Sequence, residues 1–222
     1  MMSDLTTQTQ AEVLRSATTG ELVTTTARRN RLGIWLCIVS DATGTVALLV
    51  AYAYLWSLNV NDAWAPPKDT WADPVPFWLI FAGVVMAALA MWWAVAGIRA
   101  GRTGQFITGS ALASIVALVT FVGQIVQLST FPFDITDGAY ASTTFWLCIA
   151  TALHLSVVGF LTSAMVGRFR AGRITREDHS HARLVAMWMT WVCAAVFLGA
   201  FFATTMNASP NTNSPTFGTF QE

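Results

Sequence analysis

Five long apolar stretches dominate this sequence, and a chain that carries them has few ways to fold. About 20 mostly apolar residues are needed to cross roughly 30 Å of hydrocarbon. Runs at about Leu32–Trp56, Phe77–Ile98, Gln105–Leu128, Tyr140–Val166 and Leu184–Thr204 all reach that length. Each is apolar on every side, as suits helices that face lipid and one another. The strands of a barrel would instead alternate over about ten residues, and no such alternation is present. Composition agrees, since only 11% of residues are charged against about 25% in a soluble domain. The sequence therefore predicts an all-α polytopic membrane protein, a bundle of five transmembrane helices over residues 32–206. A polar arm (1–31) precedes the bundle and a polar tail (207–222) follows it.

Arginine placement predicts the orientation, because basic residues stay on the cytoplasmic side. Arg15, Arg28, Arg29 and Arg31 precede the first span, and Arg99 and Arg102 lie between the second and third. Arg168, Arg170, Arg173, Arg176 and Arg183 lie between the fourth and fifth, so eleven of the twelve basic residues share one side and Lys68 alone takes the other. The amino terminus is thus expected in the cytoplasm and the carboxyl terminus outside. The first thirty residues have no apolar core and do not read as a cleavable signal. They read as a cytoplasmic arm, mobile or bound to a partner. Between the first two spans, residues 57–76 hold four prolines and two tryptophans, Trp64 and Trp71. The prolines suit an extended, docked segment and the tryptophans suit interfacial anchors. The tail from Asn207 onward reads as a free or partner-bound end.

Several function classes drop out. A formal net charge of zero gives nucleic acid nothing to bind. Cys37, Cys148 and Cys193 are far apart in apolar runs, which excludes a disulfide framework or a C-x-x-C motif and suits small buried hydrophobes. A haem held by two embedded histidines needs a second imidazole, and only His154 lies in a span. His179 and His181 sit beside Glu177 and Asp178 in a basic loop. They read as a solvated, charge-balanced segment rather than a zinc site. No metal site is expected.

Ionisable side chains inside a span cost about 2.5–3.5 kcal/mol on insertion scales and mark function or a specific partner. Two are present, Asp41 in the first span and His154 in the fourth. At about 1.5 Å per residue they lie roughly 13 and 18 Å from the same membrane face, close to one level. A contact between Asp41 and His154 is expected. Gln124 and Gln127, three residues apart in the third span, share a face and suit hydrogen bonding between helices.

These segments resemble subunit III of the haem–copper oxidases, the cytochrome c oxidase family. Asp137–Leu147 (DGAYASTTFWL) is similar to that family's entry into the corresponding helix, an acidic residue, Gly, Tyr, Gly-Ser and Phe. Thr151–Gly159 (TALHLSVVG) resembles its Gly-Phe-His-Gly-Leu-His segment, with His154 on the second histidine and Thr151 at the place of the first. In the first span Ser40 matches the family's serine and Asp41 stands for its glutamate. Gln124 and Gln127 resemble a Gln-x-x-Glu pattern, and the basic loop before Trp188 is similar to the family's His-containing loop. The last span departs from the family, reading MWMTWVCAAV where Tyr-Trp-His-Phe-Val-Asp is usual, so the family's His and Asp are lost. Five helices match the shorter bacterial form, which lacks the first two.

The resemblance implies a non-catalytic subunit that binds no redox centre. It implies haem and copper in a partner subunit I, contact with subunit II and with other small subunits or a larger respiratory assembly, and residence in the bacterial plasma membrane. It also implies a cleft holding structural phospholipid and support for proton uptake into the catalytic subunit. Asp41 and His154 become the polar pair of that cleft, Ser40, Gln124 and Gln127 its inter-helix polar residues, and Arg99, Arg102 and Arg168 candidate lipid-headgroup ligands. The partner could equally belong to a quinol oxidase or a nitric oxide reductase. A small transporter using Asp41 and His154 as a proton relay is the reading of another class, disfavoured by the absence of repeats and broken helices.

Overall fold

A computed structural model describes residues 20–67 and 70–210, and shows an all-α bundle of five long helices among them. These are α1 (Val23–Leu58), α2 (Pro74–Arg99), α3 (Thr103–Ser129), α4 (Ala139–Arg170) and α5 (Ser180–Thr205), each long and apolar enough to cross a membrane. The expected spans fall inside them. Arg15, Lys68 and most of the polar arm and tail lie outside the described residues.

The largest departure is at the start of α1. The helix begins at Val23, nine residues before the apolar run, and its 36 residues make a rod of about 54 Å. Helical backbone hydrogen bonding continues through the polar stretch Thr24–Arg31 that precedes the apolar run. The last part of the expected polar arm is therefore helical, and Arg29 pairs with Glu21 at 2.9 Å.

Helices α2 and α3 form a tight hairpin. Asp73 caps α2, its carboxylate accepting from the Val75 N–H at 2.9 Å, with Pro74 at the first helical position. At the other end Gly101 takes φ 76°, and Arg102 N–H donates to Gly97 O at 2.8 Å. The reversal this achieves is a glycine-terminated cap. The two helices then cross so closely at Gly109 that a Cβ there would lie 2.9 Å from the Ala90 carbonyl oxygen. Helix α4 packs on α3, α5 packs on α2, and α1 leans chiefly on α5 and α4. Small residues, Ala87, Ala90, Ala94, Ala113, Ala117, Ala182 and Ala186, fill the centre and let the backbones approach.

The end of the bundle opposite the arginines is closed by aromatic rings. Tyr52, Trp64, Trp71, Phe133 and Tyr140 meet edge to face. Trp64 is 1% exposed, so it is a core residue rather than the interfacial anchor expected from its Pro-rich loop. Its backbone explains why. The carbonyls of Ala63 and Trp64 accept from the N–H groups of Ala139 and Tyr140, both at 3.0 Å, so the loop caps the first turn of α4 and is drawn inward. The beginning of the tail is also tied down. Trp64 Nε1–H donates to Asn207 O, and Trp56 Nε1–H donates to Ala208 O at 2.7 Å, so residues 207–209 are not a free end.

Gly138 makes this junction possible, with φ 111° and the Ala65 carbonyl oxygen 3.0 Å from where a Cβ would stand. Gly138→Ala is expected to lower stability by about 1–3 kcal/mol. Reversible unfolding in mixed micelles checks this, and an unchanged midpoint would contradict the tight docking.

Candidate functional site, a junction of three helices

Asp41 lies near the middle of α1, where only a weak interface joins that helix to the bundle. A carboxylate inside hydrocarbon needs donors, and those of Asp41 come from other helices. Two donors converge on it. His154 Nε2 of α4 lies 2.8 Å from Asp41 Oδ2, and Trp191 Nε1 of α5 lies 2.6 Å from the same oxygen. Indole nitrogen only donates, so Oδ2 accepts from Trp191, and it accepts from His154 through the ring N–H. The junction thereby links α1, α4 and α5 at one level. The Asp41 side chain is 30% exposed and that of His154 13%. One edge of the carboxylate thus faces out of the bundle, while the imidazole sits deeper, its ring 6.2 Å from that of Trp188.

Trp191 is the member that counting ionisable groups misses. Its signal is physical rather than ionic: an indole N–H inside a span needs an acceptor, and Asp41 is the carboxylate at that depth. It stands in the stretch where the resemblance to the family fails. Two further inter-helix bonds were likewise out of reach of that count. The hydroxyls of Ser114 and Ser163 join α3 to α4 at 2.7 Å, and Trp92 Nε1–H donates to Thr190 Oγ1 at 3.0 Å between α2 and α5.

The other expected polar residues are placed differently. Gln124 and Gln127 are buried, and Gln124 Nε2 donates to Gln127 Oε1 at 3.0 Å within α3, while Gln124 also hydrogen-bonds across to the Cys148 thiol of α4. Three residues make less than one full turn, so the two amides also meet each other. Gln127 Nε2 is buried with no partner. Ser40 is exposed on α1. Arg99 and Arg102 are exposed at the α2–α3 turn, while Arg168 is half-buried with its Nε unpartnered. Cys148 is buried and Cys193 half-buried, but Cys37 is exposed on α1 and is not the buried hydrophobe expected.

No group of three or more His, Cys, Asp or Glu side chains that could hold a metal ion occurs among the described residues. In the basic loop, His179 Nδ1 bonds to Arg176 O at 2.9 Å, and Asp178 accepts from the Ser180 hydroxyl at 2.8 Å. Both side chains serve the turn into α5.

The family model for cytochrome c oxidase subunit III matches residues 4–208. Among individual proteins, cytochrome c oxidase subunit 3 of Cyanidium caldarium is 26% identical over 154 residues, 67% of this chain and 57% of that protein. The protein of the same name from Cyprinus carpio is 30% identical over 129 residues, 56% of this chain and 48% of that protein. The chain spans about half the length of the curated relatives it matches.

Proposed function

We propose that this chain, which belongs to the cytochrome c oxidase subunit III family, is the non-catalytic membrane subunit of a haem–copper terminal oxidase. The family match across residues 4–208 carries the reading. In it, redox chemistry belongs to a partner subunit that holds haem and copper, with a second subunit and further small chains completing the complex. This chain braces the catalytic subunit within the lipid, holds structural phospholipid against it and keeps its proton uptake running during O2 reduction. The amino terminus and the arginine-rich turns face the cytoplasm, in a bacterial plasma membrane.

What supports the role assigned to the junction is its economy. One carboxylate held by an imidazole and an indole N–H fixes the register of the weakly packed α1 against α4 and α5. The half-exposed edge of Asp41 then lines the outer boundary of a lipid cleft. Arg99, Arg102 and Arg168 hold headgroup phosphates at the arginine-rich end.

The test is to deplete this chain from the isolated complex under mild detergent. Haem content and the initial rate of O2 reduction should be nearly unchanged, while the number of turnovers before inactivation falls at least severalfold. Loss of haem with the chain, or an unchanged working life without it, would contradict the proposal.

A further inference from the structure

The end of the bundle opposite the arginines carries a recess of about 270 Å³ between the start of α2 and the end of α3. Trp71, Pro76, Phe131 and Pro132 form its apolar walls, and Gln127 and Asp73 are polar members of the lining. The rings are held by their neighbours. Trp71 meets Tyr140 edge to face with ring centres 4.9 Å apart, and Phe131 stacks on Phe133 at 5.1 Å. Pro76 is fixed in the first turn of α2, so the walls are set before any ligand arrives. The volume lies below the roughly 300–1,000 Å³ of small-molecule pockets and suits a short stretch of polypeptide.

Both polar members have bonding capacity to spare. Gln127 is 4% exposed, and its Oε1 accepts from Gln124, which lies deeper in α3. The other arm of the planar amide, Nε2, turns the opposite way, toward the recess that Gln127 lines, and is buried with no hydrogen-bond partner. A buried donor so placed calls for an acceptor from outside the described residues. At the mouth Asp73 is exposed. Its Oδ1 accepts from the Val75 N–H, which leaves Oδ2 unbonded among the described residues. The charge around it is one-sided. Asp62, Asp73, Asp134 and Asp137 all lie at this end of the bundle, and among the described residues no Lys or Arg does.

We infer that this recess docks an extended, proline-containing segment of a partner polypeptide that carries a Lys or Arg beside its prolines. A polyproline II segment has no internal hydrogen bonds, so its carbonyls are free, and one of them accepts from Gln127 Nε2. Its prolyl rings lie against Trp71 and Phe131, the aromatic-walled mode in which proline-rich segments are bound elsewhere. The cationic side chain reaches Asp73 Oδ2, drawn by the acidic end around it. Docking costs little conformational freedom, since such a segment is extended before it binds. The surface lies at the opposite end of the bundle from the arginines proposed above to hold lipid.

The full chain in mixed micelles is titrated with labelled peptides and followed by fluorescence anisotropy. One peptide has arginines among prolines, a second has glutamates in place of the arginines, and a third has alanines in place of the prolines. The first should bind about tenfold more tightly than either of the others. Asp73→Asn keeps a capping side chain on α2 and should weaken that peptide about fivefold, the worth of an exposed ion pair, with loss of most of its salt dependence. Gln127→Glu keeps the acceptor for Gln124 but turns the free arm into an acceptor, and should weaken binding by a similar factor. Asp134→Asn, outside the recess, should change nothing. No binding, equal binding of the three peptides, or equal losses from Asp73→Asn and Asp134→Asn would overturn the site. In the native membrane, a photocrosslinking residue in place of Thr130, also in the lining, should become joined to a proline-containing segment of another polypeptide with a Lys or Arg beside the prolines. Adducts only to lipid, to a second copy or to this chain's own carboxyl-terminal residues would contradict the inference as well.

Discussion

Asp41→Ala is expected to lower the stability of the bundle by about 2–4 kcal/mol, since it strands the donors of His154 and Trp191. His154 and Trp191 both donate to Asp41 Oδ2, and α1 has little further packing to hold it. Unfolding in mixed micelles gives the magnitude, and a cysteine cross-link between α1 and α5 reports whether α1 detaches. Asp41→Asn keeps an oxygen for the indole and should cost less, leaving assembly intact. Trp191→Phe keeps the ring and removes one donor. In a double-mutant cycle, Asp41 and Trp191 should couple by more than the average of about 0.6 kcal/mol for hydrogen bonds between membrane helices, up to the maximum of about 1.7 kcal/mol. Additive losses would mean that α1 is held by packing alone.

Gly109→Val should destabilise by about 3 kcal/mol, at the upper end of what overpacking costs. At this position the hairpin of α2 and α3 is tightest, and a Cβ would lie 2.9 Å from both Ala90 O and Ala94 Cβ. A backbone oxygen cannot step aside as a side chain can, so the helices themselves must part. Gly123, on the same helix, has nothing within 4 Å of its would-be Cβ, and Gly123→Ala should be neutral or slightly favourable. Thermal unfolding of the two variants side by side separates close packing from a general dislike of bulk in α3. Equal effects would contradict the crossing described here.

Why Asp41 and His154 could be matched from sequence is a matter of geometry. Helix rise is fixed, so distance from a membrane face follows from residue counting, and a charge in hydrocarbon narrows the choice of partners. Trp191 escaped because tryptophan is apolar by composition and polar by one atom. The glutamines were legible in part, since Gln124 bonds both along α3 to Gln127 and across to Cys148 of α4. Their shared face was readable, but whether two amides bond to each other or across to α4 depends on side-chain rotamers that spacing does not determine. Trp64 was misplaced because a tryptophan in a Pro-rich loop resembles an interfacial anchor until the loop is seen capping α4. At the start of α1, apolar periodicity marks where lipid ends rather than where the helix does.

The central claim is that this chain serves a redox partner and holds no redox centre of its own. Affinity purification of the tagged chain from its native membrane, followed by a subunit inventory and a visible spectrum of the intact and dissociated complex, tests that claim most directly. The chain should co-isolate with a larger haem-bearing subunit, and on dissociation all haem absorbance should stay with that subunit. A stable homo-oligomer free of haem would contradict it, and so would haem retained by this chain after the partner has been removed.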